Sequence, residues 1–208
     1  MEDPSLGPLA ALLLPRVAAA MAGDASGHDL AHVLRVRTLA LVLAAAEGAD
    51  AETVELIALL HDVGSPGGRS GHGVRGAETA AGWLSALGAP PPLVETVCAA
   101  IATLSWSSGQ TPPSLAGRVV QDADRLDAIG AVGIARAFAY GGAHGRSPGL
   151  PGGPGALPAG NTVAHFAEKL LRLSATLHTA AARHLAAGRH AFLLEFLRRL
   201  QAEAAGTQ

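Results

Sequence analysis

Apolar residues recur at intervals of three and four along most of the chain, whereas strict alternation of apolar and polar residues is hard to find over even six positions. The first spacing places side chains on one face of an α-helix, and alternation would be typical of a half-buried β-strand. One such helical stripe is formed by Leu30, Val33, Leu34, Leu41 and Val42. The pattern therefore predicts an all-α protein.

Glycine, proline and capping residues divide this pattern into separate helices. Pro15 marks a kink or a restart in the first helix, Asp50 is a suitable N-cap for the third, and the glycines at 130 and 133 predict a break. The glycine-rich residues 64–71 are predicted to form a loop. The predicted helices cover residues 6–21, 28–46, 51–62, 74–87, 91–104, 114–140, 162–187 and 189–205.

The longest predicted loop, residues 141–160, contains eight glycines and four prolines. We expect it to be mobile, since both residue types oppose helix formation. The 48 residues that follow form only two helices, too few for a core of their own. The sequence thus predicts a single domain: an N-terminal helix (1–24), a core (25–140), this mobile loop as an excursion, and C-terminal helices (161–208) that pack on the core.

The composition agrees with helices that pack closely. The chain has 208 residues, of which 49% are hydrophobic and 15% charged, and this balance excludes intrinsic disorder. Aromatic residues contribute only 3%, whereas 45 residues are alanine. A core built from small aliphatic side chains favours helices that approach one another closely over a broad sheet.

The charge and the lysine and cysteine content exclude several classes of protein. A formal net charge of −2 lacks the basic excess of a nucleic-acid-binding protein. Lys169 is the only lysine, and no Gly-Lys-Ser/Thr motif of a P-loop exists. The single Cys98 excludes an internal disulfide and a cysteine-based zinc cluster. No stretch has the length and apolarity of a membrane span, so we expect a cytoplasmic protein without a membrane partner.

The strongest local feature is the adjacent pair His61-Asp62, at the end of an apolar helix and before a glycine-rich loop. Helical neighbours point about 100° apart, so both side chains can converge on one ion beyond the helix end. His32 and Asp124, each on a predicted helix, are candidates for further ligands. Two imidazoles and two carboxylates suit an octahedral divalent ion, Mn²⁺ or Mg²⁺, with Co²⁺ and Fe²⁺ as alternatives. Two open positions would hold a water and a phosphate oxygen, as metal-assisted hydrolysis requires.

These residues stand in longer motifs that resemble the HD-domain superfamily of metal-dependent phosphohydrolases, and in particular its YedJ/YpgQ-type branch. The run Asp-Ala-Asp-Arg-Leu-Asp at 122–127 is the most specific of these motifs. The resemblance extends over roughly residues 25–203. It is carried by five stretches: residues 27–36, 58–64, 120–131, 133–142 and 165–171.

The resemblance implies an all-helical HD fold that binds one divalent cation, Mn²⁺ by preference, through His32, His61, Asp62 and Asp124. Asp122 would then be structural. Members of the branch include manganese-dependent pyrophosphohydrolases, which cut nucleoside triphosphates between the α and β phosphates. The expected partner is therefore a nucleotide or another phosphorylated small molecule, and a homodimer stays open.

The chemistry of such a site suggests roles for further residues. Asp62 would orient the attacking water, and His28 or Asp127 would handle protons or hold the ligand imidazoles. Arg136 is expected to form a buried ion pair with a helix carboxylate instead of contacting substrate. Four side chains are candidates for neutralising phosphate oxygens: Arg69, Arg125, His165 and Lys169.

Simpler interpretations stand beside these roles. His28 and Asp29 would only cap the second helix. His165 and Lys169 would only belong to a solvated helix face, because residues four apart on a helix are neighbours. His72 is a candidate ligand for a second ion, but no further histidine near residues 101–105 completes such a site.

The chain also departs from the branch at several positions. The branch commonly has an acidic residue where this chain has Ser65, a basic and then an aromatic residue at Gly67 and Gly68, and glutamate at Ala116. The identity of the general acid–base group is therefore open. Two alternatives follow: a phosphatase or phosphodiesterase that acts on another metabolite, and a metal- and nucleotide-binding HD protein without catalysis.

Overall fold

A computed structural model describes residues 6–23, 27–65, 71–149 and 160–207. Within these ranges the chain is helical and contains no strand, which confirms the all-α prediction. No helix in the described ranges is both long enough and apolar enough to cross a membrane. The α-helices are α1 (Pro8–Ala20), α2 (Leu30–Glu47), α3 (Ala51–Leu60), α4 (His72–Ala86), α5 (Pro91–Leu104), α6 (Leu115–Asp127), α7 (Gly130–Ala143), α8 (Leu171–Leu173) and α9 (Ala180–Ala204).

The described residues divide into two compact units. The first contains the residues up to 123 except Gly27, and the second contains Gly27 and the residues from 124 onward. In the first unit α3 is central, because it packs against α1, α2 and α5. Every residue from Val54 to Leu60 is buried. This helix forms the hydrophobic core and carries the predicted metal motif at its end.

A buried ion pair joins α2 to α3. Arg37 Nε donates to Glu55 Oε1 at 2.7 Å, and both residues are only 5% exposed. The second carboxylate oxygen of Glu55 accepts the backbone N–H of Gly7 at 3.0 Å. Because unpaired charges are costly in an apolar interior, this network fixes the relative positions of α1, α2 and α3.

Glycines bring α4 close to α5, in agreement with the close packing predicted from composition. A Cβ atom on Gly73 would lie 3.0 Å from the carbonyl oxygen of Ala102, and one on Gly76 would lie 3.2 Å from a side-chain methyl of Ile101. A side chain at either position would require the neighbouring atoms to shift.

The middle of α6 is held against the end of α5 by Gln121. Gln121 is fully buried, and its Nε2 donates to the carbonyl oxygens of Thr103, Leu104 and Gln110 at 3.3, 3.0 and 3.2 Å. The last carbonyls of α5 have no partner within their own helix, so this side chain caps them. The spacing of apolar residues does not predict this role.

In the second unit α7 packs against α9. Phe138, Phe166 and Phe196 form an aromatic cluster with ring centroids 5.7 to 6.2 Å apart. Arg136 Nη1 donates to Asp127 Oδ2 at 2.9 Å, and its Nε donates to the carbonyl oxygen of Gly27 at 2.9 Å. The ion pair expected for Arg136 is therefore confirmed.

Several predicted helix boundaries were wrong. α9 continues through Gly188, where a break was predicted, and the break lies instead at residues 177–179. The Thr179 hydroxyl caps α9 by accepting the Ala182 N–H at 3.3 Å, which makes 179 the better start. α3 ends at Leu60, so the His61-Asp62 pair lies in the following turn.

The two long loops predicted from glycine and proline content are described only in part. α7 extends to Ala143, so the second loop begins later than predicted. Residues 66–70 and 150–159 lie outside the described residues. The predicted break between α6 and α7 is confirmed, and Gly130 adopts a φ of +74° there, which glycine tolerates best.

Candidate metal centre

His61 is oriented by the end of α3. Its Nδ1 lies 2.7 Å from the carbonyl oxygen of Ala58 in the last turn of that helix. A carbonyl oxygen only accepts hydrogen bonds, so Nδ1 carries the hydrogen and donates it. The lone pair of the neutral ring therefore lies on Nε2, the atom that faces the other candidate ligands.

His32 approaches His61 from the first turn of α2. Asp29 caps this helix by accepting the His32 N–H at 2.9 Å, so the capping interpretation of Asp29 is confirmed. The His32 side chain is fully buried, and its Nε2 lies 3.2 Å from Nε2 of His61. The two rings are 5.1 Å apart at an angle of 78°. Two imidazole nitrogens thus point at the same small volume.

Asp62 supplies the third atom. Its Oδ2 lies 3.7 Å from Nε2 of both His32 and His61. The same oxygen accepts a hydrogen bond from Nδ1 of His28 at 2.9 Å, and Oδ1 accepts one from the hydroxyl of Ser65 at 3.1 Å. Both oxygens of this buried carboxylate therefore have fixed partners.

The three atoms are spaced as ligands of one ion. Distances of 3.2, 3.7 and 3.7 Å define a circle with a radius of about 2.1 Å. First-row divalent metals and Mg²⁺ bind imidazole nitrogen and carboxylate oxygen at about 2.0 to 2.2 Å. His32 Nε2, His61 Nε2 and Asp62 Oδ2 would therefore be suited to hold one such ion together.

The charge state of Asp62 also suits a cation. Burial raises the pKa of this carboxyl. The electrostatic effect of His61, a hydrogen bond from His28 and the electrostatic effects of His28 and His32 all lower it, and together they outweigh burial. Together they hold the pKa of Asp62 well below its ordinary value. The side chain is consequently an anionic ligand at neutral pH.

Two further residues, Asp124 and His72, are candidate ligands. Asp124 lies in the last turn of α6 and is partly buried, and its role as the fourth ligand stays a prediction. His72 is buried at the first residue of α4. In the part of the chain that the structure describes, His72 belongs to no group of three potential ligands.

Two other predicted site residues, Asp127 and Arg125, lie in the second unit. Asp127 is engaged by Arg136, as described above. Arg125 donates through Nη1 to the carbonyl oxygen of Thr176, and this nitrogen lies 3.3 Å from Nε2 of His178. The catalytic role predicted for Asp127 and the phosphate contact predicted for Arg125 stay predictions. Arg69 lies outside the described residues.

His165 and Lys169 lie at a π-helical turn, Phe166–Leu170, in the second unit. Partial burial lowers the pKa of His165, and the positive charges of Lys169 and Arg146 lower it further, against the opposing effect of Glu168. The guanidinium of Arg146 lies 5.4 Å from the centre of the Tyr140 ring. The sequence prediction did not include Arg146 among the basic residues near His165. A basic residue inside a glycine- and proline-rich stretch has no helical periodicity that would place it beside other residues.

The sequence prediction also missed the contact between Ser65 and Asp62. A serine three residues after a carboxylate often bonds to it across a turn, which is the one signal that the sequence offered.

The chain matches the family model of the HD domain over residues 29–129. It is 40% identical over 188 residues to the uncharacterized protein YpgQ of Bacillus subtilis (strain 168), which covers 88% of this chain and 87% of that protein. The crystal structure of Bacillus subtilis YpgQ in complex with ADP matches with a TM-score of 0.77 at 34% identity, covering 94% of each chain. The structure of an HD-superfamily hydrolase from Bacillus thuringiensis matches with a TM-score of 0.74 at 36% identity, covering 93% of this chain and 95% of that one.

Proposed function

The chain belongs to the YpgQ-like branch of the HD-domain superfamily of metal-dependent phosphohydrolases, and from that premise we propose that it is a nucleoside triphosphate pyrophosphohydrolase. It would convert a ribo- or deoxyribonucleoside triphosphate into the monophosphate and pyrophosphate. The observation that carries the proposal is the buried triangle of His32 Nε2, His61 Nε2 and Asp62 Oδ2, whose size fits one divalent ion.

His32, His61, Asp62 and Asp124 are the proposed ligands. Two nitrogen and two oxygen donors suit a divalent ion of borderline to hard character. Among such ions we propose Mn²⁺, the one that the family resemblance implies, with Mg²⁺, Co²⁺ and Fe²⁺ as alternatives. When bound, such an ion polarises a phosphoryl oxygen and acidifies water.

The protein's own residues would orient this chemistry. Asp62 presents Oδ2 toward the two imidazoles, and His28 holds that oxygen by a hydrogen bond of 2.9 Å. His28 is 18% exposed at its side chain, so it is also accessible to exchange a proton with water. Asp127, which is paired with Arg136, is the alternative candidate for handling protons or holding a ligand imidazole.

Basic side chains would neutralise the polyphosphate. We assign this role to Arg69, Arg125, His165 and Lys169, since phosphoryl transfer depends mainly on positioning and charge neutralisation. The ADP complex of Bacillus subtilis YpgQ supports a nucleotide as the ligand.

The test is a panel of nucleoside triphosphates incubated with metal-free protein and with added Mn²⁺, Mg²⁺ or Co²⁺. We expect turnover only with metal, and its loss in His61→Ala and Asp62→Ala. His144→Ala, which removes an exposed histidine at the end of α7, is the matched control and should retain activity. Undiminished turnover in metal-free protein would refute the proposal.

A second candidate is a nucleotide-binding protein without catalysis. It is favoured by Ser65, which bonds to Asp62 and carries no titratable group where the branch commonly has an acid. Nucleotide binding without turnover for any metal in the panel would support it over the first. Release of orthophosphate alone would instead indicate a phosphatase.

A further inference from the structure

Ser65 contacts Asp62 through both its side chain and its backbone. The Ser65 hydroxyl donates to Oδ1 of Asp62 at 3.1 Å, because an ionised carboxylate only accepts hydrogen bonds. The backbone N–H of Ser65 donates to the carbonyl oxygen of Asp62 at 2.9 Å. The turn from Asp62 to Ser65 is thus closed by two hydrogen bonds between the same two residues.

The turn is also held against α4. A Cβ atom on Gly64 would lie 2.2 Å from the carbonyl oxygen of His72 and 2.5 Å from the backbone nitrogen of Gly76, so the two backbones are in direct contact. Arg75 Nη2 donates to the carbonyl oxygen of Gly64 at 3.1 Å. Packing of the neighbouring Gly64 backbone therefore restrains the position of Ser65 and places its hydroxyl within hydrogen-bond distance of Asp62.

The two carboxylate oxygens of Asp62 consequently have different partners. Oδ2 accepts from His28 and faces His32 and His61, whereas Oδ1 is engaged by Ser65. We propose that Ser65 is a positioning residue that holds Oδ1, so that Asp62 binds the metal through Oδ2 alone. This inference rests on the metal-binding function proposed above.

One-oxygen binding has a consequence for the choice of metal. Mg²⁺ and ions of similar size prefer octahedral coordination with short bonds, whereas Ca²⁺ readily takes both oxygens of a carboxylate at longer distances. A carboxylate held at Oδ1 by Ser65 therefore favours the smaller ions. Loss of the hydroxyl should weaken Mn²⁺ binding and narrow the difference in affinity between Mn²⁺ and Ca²⁺.

The test compares two substitutions of equal size in the full chain. Ser65→Thr keeps the hydroxyl, and Ser65→Val replaces it with a methyl group. Calorimetric titration of metal-free protein with MnCl₂ and with CaCl₂ should give Ser65→Thr an affinity close to that of the unchanged protein. Ser65→Val should bind Mn²⁺ about 10-fold more weakly, the usual effect of losing a hydrogen bond to a metal ligand, with a smaller change for Ca²⁺.

Controls separate this inference from the function on which it rests. Ser85→Ala removes an exposed serine hydroxyl on α4 and should leave both affinities unchanged. If Ser65→Val does not fold, as judged by circular dichroism, Ser65→Ala against Ser65→Thr gives the same comparison. Equal Mn²⁺ affinities in the variants with and without the hydroxyl would overturn the inference and leave the metal site standing. Failure of the unchanged protein to bind Mn²⁺ would overturn both.

Discussion

His61 donates its Nδ1 hydrogen to the carbonyl oxygen of Ala58, three residues earlier, at 2.7 Å. The last carbonyls of a helix lack partners within the helix, so α3 offers an acceptor at the point where the metal motif begins. The hydrogen bond selects the ring tautomer with its lone pair on Nε2. Placing a histidine directly after a buried helix therefore orients a ligand with no additional side chain.

This relationship predicts the tautomer of His61. In metal-free protein at neutral pH, His61 should be in the Nδ1–H form, because the Ala58 carbonyl accepts that hydrogen. Long-range ¹H–¹⁵N correlation spectra distinguish the two ring nitrogens directly, with His61→Ala used to assign the signals. A ring that carries its hydrogen on Nε2 would show that Nε2 is not prepared as a ligand.

Glu55 should be critical for stability. Glu55→Ala leaves Arg37 charged and buried without its carboxylate, and should lower the free energy of unfolding by about 3–5 kcal/mol. Urea unfolding followed by circular dichroism measures the change. The double substitution Arg37→Met with Glu55→Leu should recover much of the loss, since no unpaired charge remains.

Glu52 provides the control for this experiment, because it lies on the same helix but is exposed. Glu52→Ala should cost less than about 1 kcal/mol, through its effect on the helix N-terminus. A similar loss for Glu52→Ala and Glu55→Ala would contradict the role assigned to the buried pair.

Gly64 should not tolerate a side chain. A Cβ atom would lie 2.2 Å from the carbonyl oxygen of His72, so Gly64→Ala must displace either the turn or α4. We expect a loss of about 3 kcal/mol of stability, together with weaker Mn²⁺ binding, because His61 and Asp62 belong to the same turn. Thermal unfolding and metal titration measure the two effects.

Gly82 is the matched control for Gly64. It lies in the interior of α4, and a Cβ atom there would meet no atom within 4 Å apart from its neighbours in the same helix. Gly82→Ala should therefore stabilise the protein by about 0.5–1 kcal/mol, because alanine favours helix. Equal effects at the two glycines would disprove the proposed close contact.

His165 should report on the positive potential around it. Since Lys169 and Arg146 lower its pKa, Lys169→Met should raise the pKa of His165, and Glu168→Gln should lower it further. Bound pyrophosphate should raise it, because an anion favours the protonated ring. An NMR titration of the imidazole C–H signals measures these shifts, and a pKa unaffected by Lys169→Met would refute the assignment.

The lowered pKa of His165 also makes the stability of the folded protein depend on pH. The pKa of His165 is lower in the folded chain than its ordinary value, so the unfolded chain binds the proton more readily. Stability should therefore fall as the pH decreases below about 6.5 and level off once His165 is protonated in the folded protein as well.

The fold was largely predictable because the helical signals are strong and local. Asp29 and Asp50 cap α2 and α3, and the apolar spacing identifies the buried faces between such caps. The prediction of a helix break at Gly188 was wrong. A glycine inside a helix lowers helix stability by only about 1 kcal/mol, and the remaining residues of α9 compensate for this loss. The local sequence pattern does not show whether this loss is larger or smaller than the stabilisation from the N-cap at Thr179.

The sequence was sufficient to predict which residues form the candidate site, but not all of the contacts between them. His32, His61 and Asp62 were identified from their motifs, and the structure brings them together. The bond from Ser65 to Asp62 depends on the path of the turn between them, which is set by contact with α4. The spacing of Asp62 and Ser65 allows such a bond, but whether it forms depends on the packing of Gly64 against α4, which the residues of the motif do not predict.

The central claim is tested most directly by the stoichiometry of the products. Purified protein with Mn²⁺ and a nucleoside triphosphate, quenched with chelator and separated by ion-exchange chromatography, should release one monophosphate and one pyrophosphate for each triphosphate consumed. Asp62→Asn, which keeps the size of the side chain but removes its charge, should release neither. Orthophosphate and nucleoside diphosphate as the first products would contradict cleavage between the α and β phosphates.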